Sequence, residues 1–311
     1  MSQLLAASPP DTTWGSPSRP TRRRRGSASR RDQAFAWAIL APGLILLFAF
    51  THYPIIRSVL NSARSPGGDL TTGNYELMFS DPVFWQVLRN NLLFMVGTVP
   101  TSMALAMLMA FWVNGKIRGR GFLRLAYFTP AILPMVAVAS IWLFFYTPGY
   151  GPVDTVFNAL GLPVRNWLGD PDTVLPALMI MTIWKEAGFF MIFYLAGLQN
   201  MSVELEEAST LEGASRWYHF RRVTFPLLMP TTLFVLVVAI TNSFKLVDHL
   251  FIMTGGGPNN ASNLLLYYIY EVAFSFIDLT YAATLTVALV VILGVIALGQ
   301  YGFLERRVHY R

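Results

Sequence analysis

The chain has 311 residues, of which 54% are hydrophobic and 13% are charged, against roughly 45–50% and about 25% in ordinary soluble domains. This composition excludes an ordinary soluble enzyme and indicates a polytopic membrane protein. The sequence contains no cysteine, which excludes disulfides, a thiolate nucleophile and a thiolate metal site. The net charge of +6 is informative chiefly through the placement of Lys and Arg relative to the membrane segments.

The N-terminal segment, residues 1–33, is rich in Ser, Pro, Thr and Arg and has almost no clustered apolar residues. Such a segment cannot bury enough surface to offset the entropy of ordering the chain, so we predict a disordered basic tail. Its four consecutive arginines, Arg22 to Arg25, favour contact with anionic lipid headgroups, at about 1 kcal/mol each, over nucleic-acid binding.

Six apolar stretches follow, each long enough for the roughly 20 residues that one bilayer crossing needs. They are Phe35–Leu60, Trp85–Val113, Phe122–Tyr146, Val174–Leu198, Leu227–Met253 and Tyr281–Phe303. The first is too long for a cleaved signal peptide and lacks a small-residue cleavage site, so we expect it to stay in the mature protein. The sequence predicts an all-α membrane protein, with a domain of six transmembrane helices over residues 34–304 and a short tail at 305–311.

The basic residues are distributed unevenly between the two sides of the membrane. Seventeen of the 23 Lys and Arg residues fall in the N-terminal segment, the second-to-third and fourth-to-fifth connections, and the C-terminus. The alternate connections hold Arg57, Arg64, Arg89 and Arg165. By the positive-inside rule, both termini and the connection over residues 201–225 are predicted to be cytoplasmic.

The connection over residues 201–225 is a polar, acidic island between two membrane-length stretches. Ser202 can cap a helix, and the glutamates that follow it lie where the helix dipole favours negative charge. Gly213 tolerates a positive φ, and a second short helix is expected from Ala214 toward Val223. The sequence therefore predicts a helix, a bend and a second helix lying along the cytoplasmic face.

Polar residues inside membrane spans mark a candidate transport path, because a charge at mid-bilayer costs at least about 2.5–3.5 kcal/mol and usually faces a cavity. Two groups meet this description. The first is Lys185 and Glu186 in the fourth span, with Thr182 and Phe189 within two turns, and the second is Asn242, Ser243, Lys245 and Asp248 in the fifth. Lys245 and Asp248 are three residues apart, which predicts that they share a helix face. The alternative is that the charged residues form structural ion pairs within the bundle.

A glycine run, consisting of Gly255, Gly256, Gly257 and Pro258, follows the fifth span on the predicted outer face. A phosphate-cradling loop is disfavoured because the run follows no strand and faces away from cytoplasmic nucleotides. We predict a tight turn that lines an outer gate.

The segment Glu207-Ala208-Ser209, with Gly213 and Pro226 at matching intervals, resembles the EAA loop of the membrane subunits of ABC importers. Ser209 stands where the family has Ala, and Glu212 stands where Asp is commoner. Further segments similar to carbohydrate-type permeases, of the maltose and glycerol-3-phosphate type, are His52-Tyr53-Pro54, Thr129-Pro130-Ala131-Ile132-Leu133-Pro134 and Met253-Thr254-Gly255-Gly256-Gly257-Pro258. The resemblance covers about residues 34–303.

The resemblance implies a permease subunit in a bacterial inner membrane that moves a sugar, polyol or glycerol phosphate inward by alternating access. It implies a heterodimer with a second, homologous permease, two cytoplasmic ATP-binding subunits, and an extracytoplasmic solute-binding protein. The chain lacks the Gly-x-x-x-x-Gly-Lys-Ser/Thr pattern, so no cofactor is expected in it, and ATP and Mg²⁺ are expected in the partner ATPase. No nucleic-acid partner is expected.

The resemblance also assigns residue roles. The contact with the ATPase maps to Glu207, Ala208, Leu211, Glu212, Gly213 and Ala214. The sugar-contacting positions of maltose-type permeases match the fourth-span group, where Phe189 could stack on a sugar or simply pack. Lys185 could pair with a phosphate or with Glu186, and the sequence does not choose between them.

Two other classes of protein fit the sequence less well than the importer. A polytopic enzyme, such as a lipid-linked glycosyl or phosphoryl transferase, needs clustered carboxylates or histidines at the membrane face. The histidines are scattered along the chain instead, at His52, His219, His249 and His309. An ion-coupled carrier working alone is expected to show internal repeats, and none is convincing here.

Overall fold

The computed structural model describes residues 30–65, 67–115, 118–202, 209 and 211–307. It divides into two units, Met1–Pro54 and Ile55–Arg311. In the first unit, helix α1 (Arg30–Leu47) runs into a π-helical turn (Phe48–His52), and the described side chains are largely exposed. Exposure of an apolar helix is expected where lipid replaces water as the solvent.

The rest of the described chain is a helical bundle. Its helices are α2 (Tyr53–Ser62), α3 (Gly73–Ser80), α4 (Pro82–Asn114), α5 (Arg120–Ile132), α6 (Met135–Phe145), α7 (Pro152–Ala159), α8 (Val174–Gln199), α9 (Arg216–His219), α10 (Phe225–Lys245), α11 (Asp248–Met253), α12 (Leu265–Tyr270) and α13 (Leu279–Arg307). Two further π-helical turns cover Phe220–Thr224 and Glu271–Ser275.

Within the part of the chain that the structure describes, five helical segments are long and apolar enough to cross a membrane. They are Gln33–Ser62, Pro82–Asn114, Val174–Gln199, Arg216–Met253 and Leu279–Gly302. The pair α5 and α6 forms a sixth candidate, bent by 99° at its break. The predicted all-α membrane fold, with up to six spans, is confirmed.

The third span departs from the sequence prediction. A single helix was expected over Phe122–Tyr146, whereas α5 ends at Ile132, α6 begins at Met135, and Leu133 and Pro134 between them are extended, with ψ of 138° and 141°. Pro134 has no N–H to bind the carbonyl four residues earlier, and its ring disfavours helical backbone at the preceding residue. The proline therefore turns one membrane-length stretch into two helices.

The predicted second helix of the cytoplasmic connection is not a separate element. Helical backbone starts at Arg216 and continues through the π-helical turn and Pro226 into α10. Proline is tolerated at the second position of α10, where the π turn has already altered the hydrogen-bonding pattern. The backbone is therefore helical toward Val223 as predicted, but the helix continues into the fifth span instead of forming a separate element.

The fifth span also ends differently. Helix α10 stops at Lys245, Leu246 is extended with ψ of 105°, and α11 starts at Asp248. The predicted shared face of Lys245 and Asp248 requires an unbroken helix and is not formed.

The core of the bundle lies where α4 packs along α8, with α10 completing the contact. Small residues face this junction, including the buried Ala106, Ala110 and Ala187, and they allow the close approach typical of membrane helices. The contacts of α4 with α8 and α10 bring the polar residues of these three helices together. Gly188 of α8 also lies close to α5, because a Cβ there would collide with the backbone carbonyl oxygen of Tyr127.

Candidate functional site

A small polar cavity lies between α4, α8 and α10, with a volume of about 10 Å³. That volume holds about one water molecule. Its lining residues are Thr98, Val99 and Ser102 of α4, Thr182, Glu186 and Phe190 of α8, and Ala239, Asn242, Ser243 and Leu246 in and just after α10. Four of the eight predicted path residues, Thr182, Glu186, Asn242 and Ser243, thus lie around one space.

Glu186 and Asn242 join the two groups that the sequence predicted separately. The Asn242 Nδ2 atom donates a hydrogen bond to Glu186 Oε2 at 3.1 Å. The bond links α8 to α10 inside an apolar bundle, where an unpaired carboxylate or amide would be costly. Glu186 is half-buried, so its carboxylate is still accessible from the cavity.

The hydroxyl groups around the cavity are oriented by their own helices. Each donates to a backbone carbonyl three or four residues earlier: Thr98 to Phe94 at 2.6 Å, Ser102 to Val99 at 3.1 Å, Thr182 to Leu178 at 2.9 Å and Ser243 to Ile240 at 2.7 Å. Such back-bonding is common where Ser and Thr occur inside helices. Each hydroxyl proton is therefore engaged in an intrahelical hydrogen bond, and the lone pairs of the oxygen can accept a hydrogen bond from another partner.

Lys185 points away from the cavity. Its Nζ atom donates to the carbonyl oxygens of Pro130, Ala131 and Leu133, at 2.9, 3.4 and 2.7 Å. These carbonyls lie at the break between α5 and α6. The three carbonyl contacts give Lys185 a structural role at the bend, and its charge also interacts electrostatically with Glu186, one of the two partners left open by the sequence.

Phe189 also lies outside the cavity lining. Its ring packs edge-on against Phe193, with centroids 5.2 Å apart, and beside Phe190 at 5.7 Å. Phe190 is the aromatic residue that lines the cavity. Sequence reasoning missed it, although its spacing of four from Glu186 places both on one helix face.

The contribution of α4 was also missed. Thr98 and Ser102 lie one turn apart in α4, and this spacing of polar residues would have indicated a cavity-facing stripe. Lys245 and Asp248, in contrast, are exposed and do not line the cavity.

The glycine run forms a tight turn at the end of the fifth span. Gly255 and Gly256 have φ of +55° and +79°, a region that residues with a Cβ rarely adopt. Two hydrogen bonds connect the segment after this turn to α4. Asn90 Nδ2 of α4 donates to the backbone carbonyl oxygens of Asn260 at 2.8 Å and Asn263 at 3.1 Å.

Asp81, at the start of α4, ties that helix to α12 and α13. Its Oδ1 accepts from the Val83 N–H at 2.8 Å, and its Oδ2 accepts from the hydroxyls of Tyr268 at 2.7 Å and Tyr281 at 2.6 Å. Burial, together with the carboxylate, raises the pKa of Tyr268 above its ordinary value, so its hydroxyl stays protonated and donates.

The structure describes part of the connection over residues 201–225, which is predicted to be cytoplasmic. Glu207 and Ala208, and the predicted helix start near Val203, lie outside the described residues. Leu211, Glu212 and Gly213 are exposed, with Leu211 at 89%, and Ala214 is half-buried. Gly213 has φ of +73°, the backbone conformation for which a glycine was expected at the bend.

Ser209, one of the two residues that depart from the family pattern, has a specific partner. Its Oγ lies 2.6 Å from His219 Nδ1, and its carbonyl oxygen accepts from the Ala214 N–H at 3.1 Å. Both bonds connect the two sides of the bend at Gly213. An alanine at position 209 would lack the side-chain bond.

The family of the chain follows from comparison with known proteins. Residues 102–310 match the family described as the inner membrane component of binding-protein-dependent transport systems, and the chain belongs to this family. It is 32% identical over 288 residues to the lactose transport system permease protein LacF of Rhizobium radiobacter, covering 89% of this chain and 96% of the relative. It is 31% identical over 290 residues to the sn-glycerol-3-phosphate transport system permease protein UgpA of Agrobacterium fabrum, covering 90% and 97%.

The fold is also found in a solved structure of a bacterial alginate ABC transporter in complex with an alginate pentasaccharide-bound periplasmic protein. The match has a TM-score of 0.80 at 23% identity and covers 89% of this chain and 96% of that one. The predicted membership of the carbohydrate-type importer permeases is confirmed, and the matches favour it over a membrane enzyme. The family consists of transport components, which is consistent with ATP hydrolysis in another subunit.

Proposed function

We propose that this chain is the permease subunit of an ABC importer that carries a sugar or sugar-like solute inward across a bacterial inner membrane. The observation that carries the proposal is the family match over residues 102–310. Relatives named for lactose and for glycerol 3-phosphate support the substrate class, since both solutes are small and rich in oxygen.

The proposed assembly contains a second, homologous permease, two cytoplasmic ATP-binding subunits and a periplasmic solute-binding protein. The solved relative with its solute-loaded periplasmic protein supports the last of these partners. ATP and Mg²⁺ are proposed to bind in the ATPase subunits, with both termini of this chain on the same, cytoplasmic side.

In this assembly the connection that contains Glu207 to Ala214 transmits force from the ATPase to the membrane helices. Support comes from the exposure of Leu211, Glu212 and Gly213 and from the helical backbone that continues from Arg216 into α10. Because the fifth span begins in the connection, a push on the connection would move α10 and its cavity residues Asn242 and Ser243 directly.

The cavity between α4, α8 and α10 is proposed as part of the substrate path. With a volume of about 10 Å³ it is too small for a sugar, so the helices must separate to admit one. Alternating access supplies such a movement, because it rearranges helix bundles around a fixed site. The hydroxyl, amide and carboxylate groups there supply the polar contacts that a binding site needs.

The test is Gly213→Asp, measured by uptake and by co-purification of the ATPase subunits with this chain. A Cβ at Gly213 would meet no described atom within 4 Å, so the substitution introduces no clash within the described part of the chain. We expect membrane insertion to be retained while ATPase binding and uptake are lost.

Gly161→Asp is the matched control, because Gly161 also has a positive φ, +68°, and is equally open among the described residues. It lies in the connection between the third and fourth spans, on the predicted outer side. Normal uptake by Gly213→Asp, or an equal loss in Gly161→Asp, would argue against the connection as the coupling element.

A further inference from the structure

The cavity presents mainly hydrogen-bond acceptors. The hydroxyl protons of Thr98, Ser102, Thr182 and Ser243 are all donated to backbone carbonyls, so their oxygen lone pairs remain for a ligand. Glu186 adds carboxylate oxygens, and Asn242 adds its amide carbonyl oxygen together with one N–H donor, since only one of the two Nδ2 protons donates to Glu186. Acceptors on the lining thus outnumber donors, so a solute rich in hydrogen-bond donors is favoured.

Positive charge is missing from the same surface. Among the ten described residues that line the cavity there is no Lys, Arg or His. The nearest lysine in sequence, Lys185, directs its ammonium protons to three carbonyl oxygens at the α5–α6 break, and its charge interacts with the carboxylate of Glu186.

An acceptor-rich lining without a basic side chain among its described residues favours neutral solutes over anionic ones. A neutral sugar or polyol brings one O–H donor per hydroxyl, and each can bind an acceptor on the lining. A phosphate or carboxylate group brings acceptors only, and burying it without a cation is strongly unfavourable. The apolar ring of Phe190, which also lines the cavity, offers a surface for the C–H face of a sugar.

We infer that the cavity selects uncharged, hydroxyl-rich solutes and rejects anionic ones such as sugar phosphates and uronates. The inference rests on the proposed function, since it assigns a charge class to the substrate of that importer. Sequence similarity does not decide this point, because one relative is named for lactose and another for glycerol 3-phosphate.

The experiment uses the complete importer, with its partner permease, ATPase subunits and binding protein, in proteoliposomes. Uptake and stimulated ATP hydrolysis are measured with neutral lactose, maltose, maltotriose and sorbitol, and with anionic glycerol 3-phosphate and glucuronate.

Uptake confined to neutral solutes is expected. Uptake of an anionic solute at a rate equal to or above the best neutral solute overturns the inference but leaves the proposed function standing. If the assembled complex transports none of these solutes and none stimulates ATP hydrolysis, the result counts against the proposed function itself.

Variants distinguish selection in the cavity from selection by the binding protein. Thr182→Val and Ser102→Ala each remove one acceptor with little change of shape, and each is expected to lower neutral-solute uptake about fivefold at saturating binding protein. Glu186→Gln replaces an acceptor oxygen by a donor, so the ratio of glycerol 3-phosphate to neutral uptake should rise.

The matched control is Thr286→Val. Thr286 donates to the Ala282 carbonyl oxygen at 2.8 Å in the same manner as Thr182, but it lies on α13 and does not line the cavity. Its uptake is expected to equal that of the unmodified importer. Unchanged neutral uptake in Thr182→Val, Ser102→Ala and Glu186→Gln would overturn the inference, as would equal losses in the control.

Discussion

The Nζ atom of Lys185 lies 2.9 Å from the carbonyl oxygen of Pro130, in the break between α5 and α6. In a continuous helix this carbonyl would accept from residue 134, but Pro134 has no N–H. Lys185 supplies the missing donor, and its further bond to Leu133 at 2.7 Å satisfies a second carbonyl at the break. A buried lysine and a proline 51 positions away thus form one structural unit that holds the 99° bend.

Replacing Lys185 by Met should destabilise the protein. The substitution removes the donors and leaves buried carbonyls unpaired, at about 1–3 kcal/mol for each group that cannot recruit water. We expect a lower midpoint of thermal unfolding for the purified protein, followed by fluorescence-detected size exclusion, and partial rescue by Lys185→Arg. The control is Lys245→Met, because Lys245 is exposed. A normal midpoint in Lys185→Met would show that the ammonium does not hold the bend.

Gly188→Ala should loosen the contact between α8 and α5. The added Cβ would collide with the Tyr127 carbonyl oxygen, which is backbone and cannot rotate away. Overpacking of this kind costs about 1–3 kcal/mol. A fall in the thermal midpoint and in the yield of folded protein is expected.

The control for Gly188 is Gly294→Ala in α13, where a Cβ would meet no described atom within 4 Å. Alanine is favoured over glycine in an open helix position, so this variant should match or slightly exceed the unmodified midpoint. Equal midpoints for the two alanine variants would mean that the helices adjust without cost.

The sequence was sufficient for the all-α fold with up to six spans and for the bend at Gly213, because both depend on local pattern: the length of apolar runs and a residue that tolerates positive φ. It was not sufficient for the roles of individual polar side chains. Lys185 binds carbonyls more than 50 positions earlier, and Glu186 binds Asn242 from 56 positions away. Such pairings depend on how α5, α8 and α10 pack, which no local spacing encodes.

The break in the third span was likewise not predictable from the local sequence pattern. Mean hydropathy does not distinguish a straight helix from two helices joined at a proline, so the stretch Phe122–Tyr146 was predicted as one helix. Pro134 was visible in the sequence, yet proline also occurs within intact spans here, at Pro100 in α4 and Pro230 in α10. The difference at Pro134 is that a lysine from α8 reaches the freed carbonyls.

Asp81→Asn should weaken the attachment of α4 to the last span. One carboxylate oxygen accepts from both Tyr268 and Tyr281, and an amide cannot offer the same two acceptors while also capping α4 through Val83. A loss of about 1–3 kcal/mol is expected, measured as a lower thermal midpoint. Asp69→Asn, at an exposed position, is the control and should be neutral. Equal stability of both variants would contradict the proposed attachment.

The hydrogen bond between Ser209 and His219 spans the bend on which coupling is proposed to depend. Ser209→Ala restores the residue of the family pattern but removes the side-chain bond, which contributes about 1 kcal/mol. We expect uptake to fall about fivefold, with ATPase subunits still bound, and His219→Ala to have a similar effect. In the double variant the two effects should not add, since each substitution removes the same bond. Measured uptake that falls by the product of the two single effects would mean that Ser209 and His219 act independently.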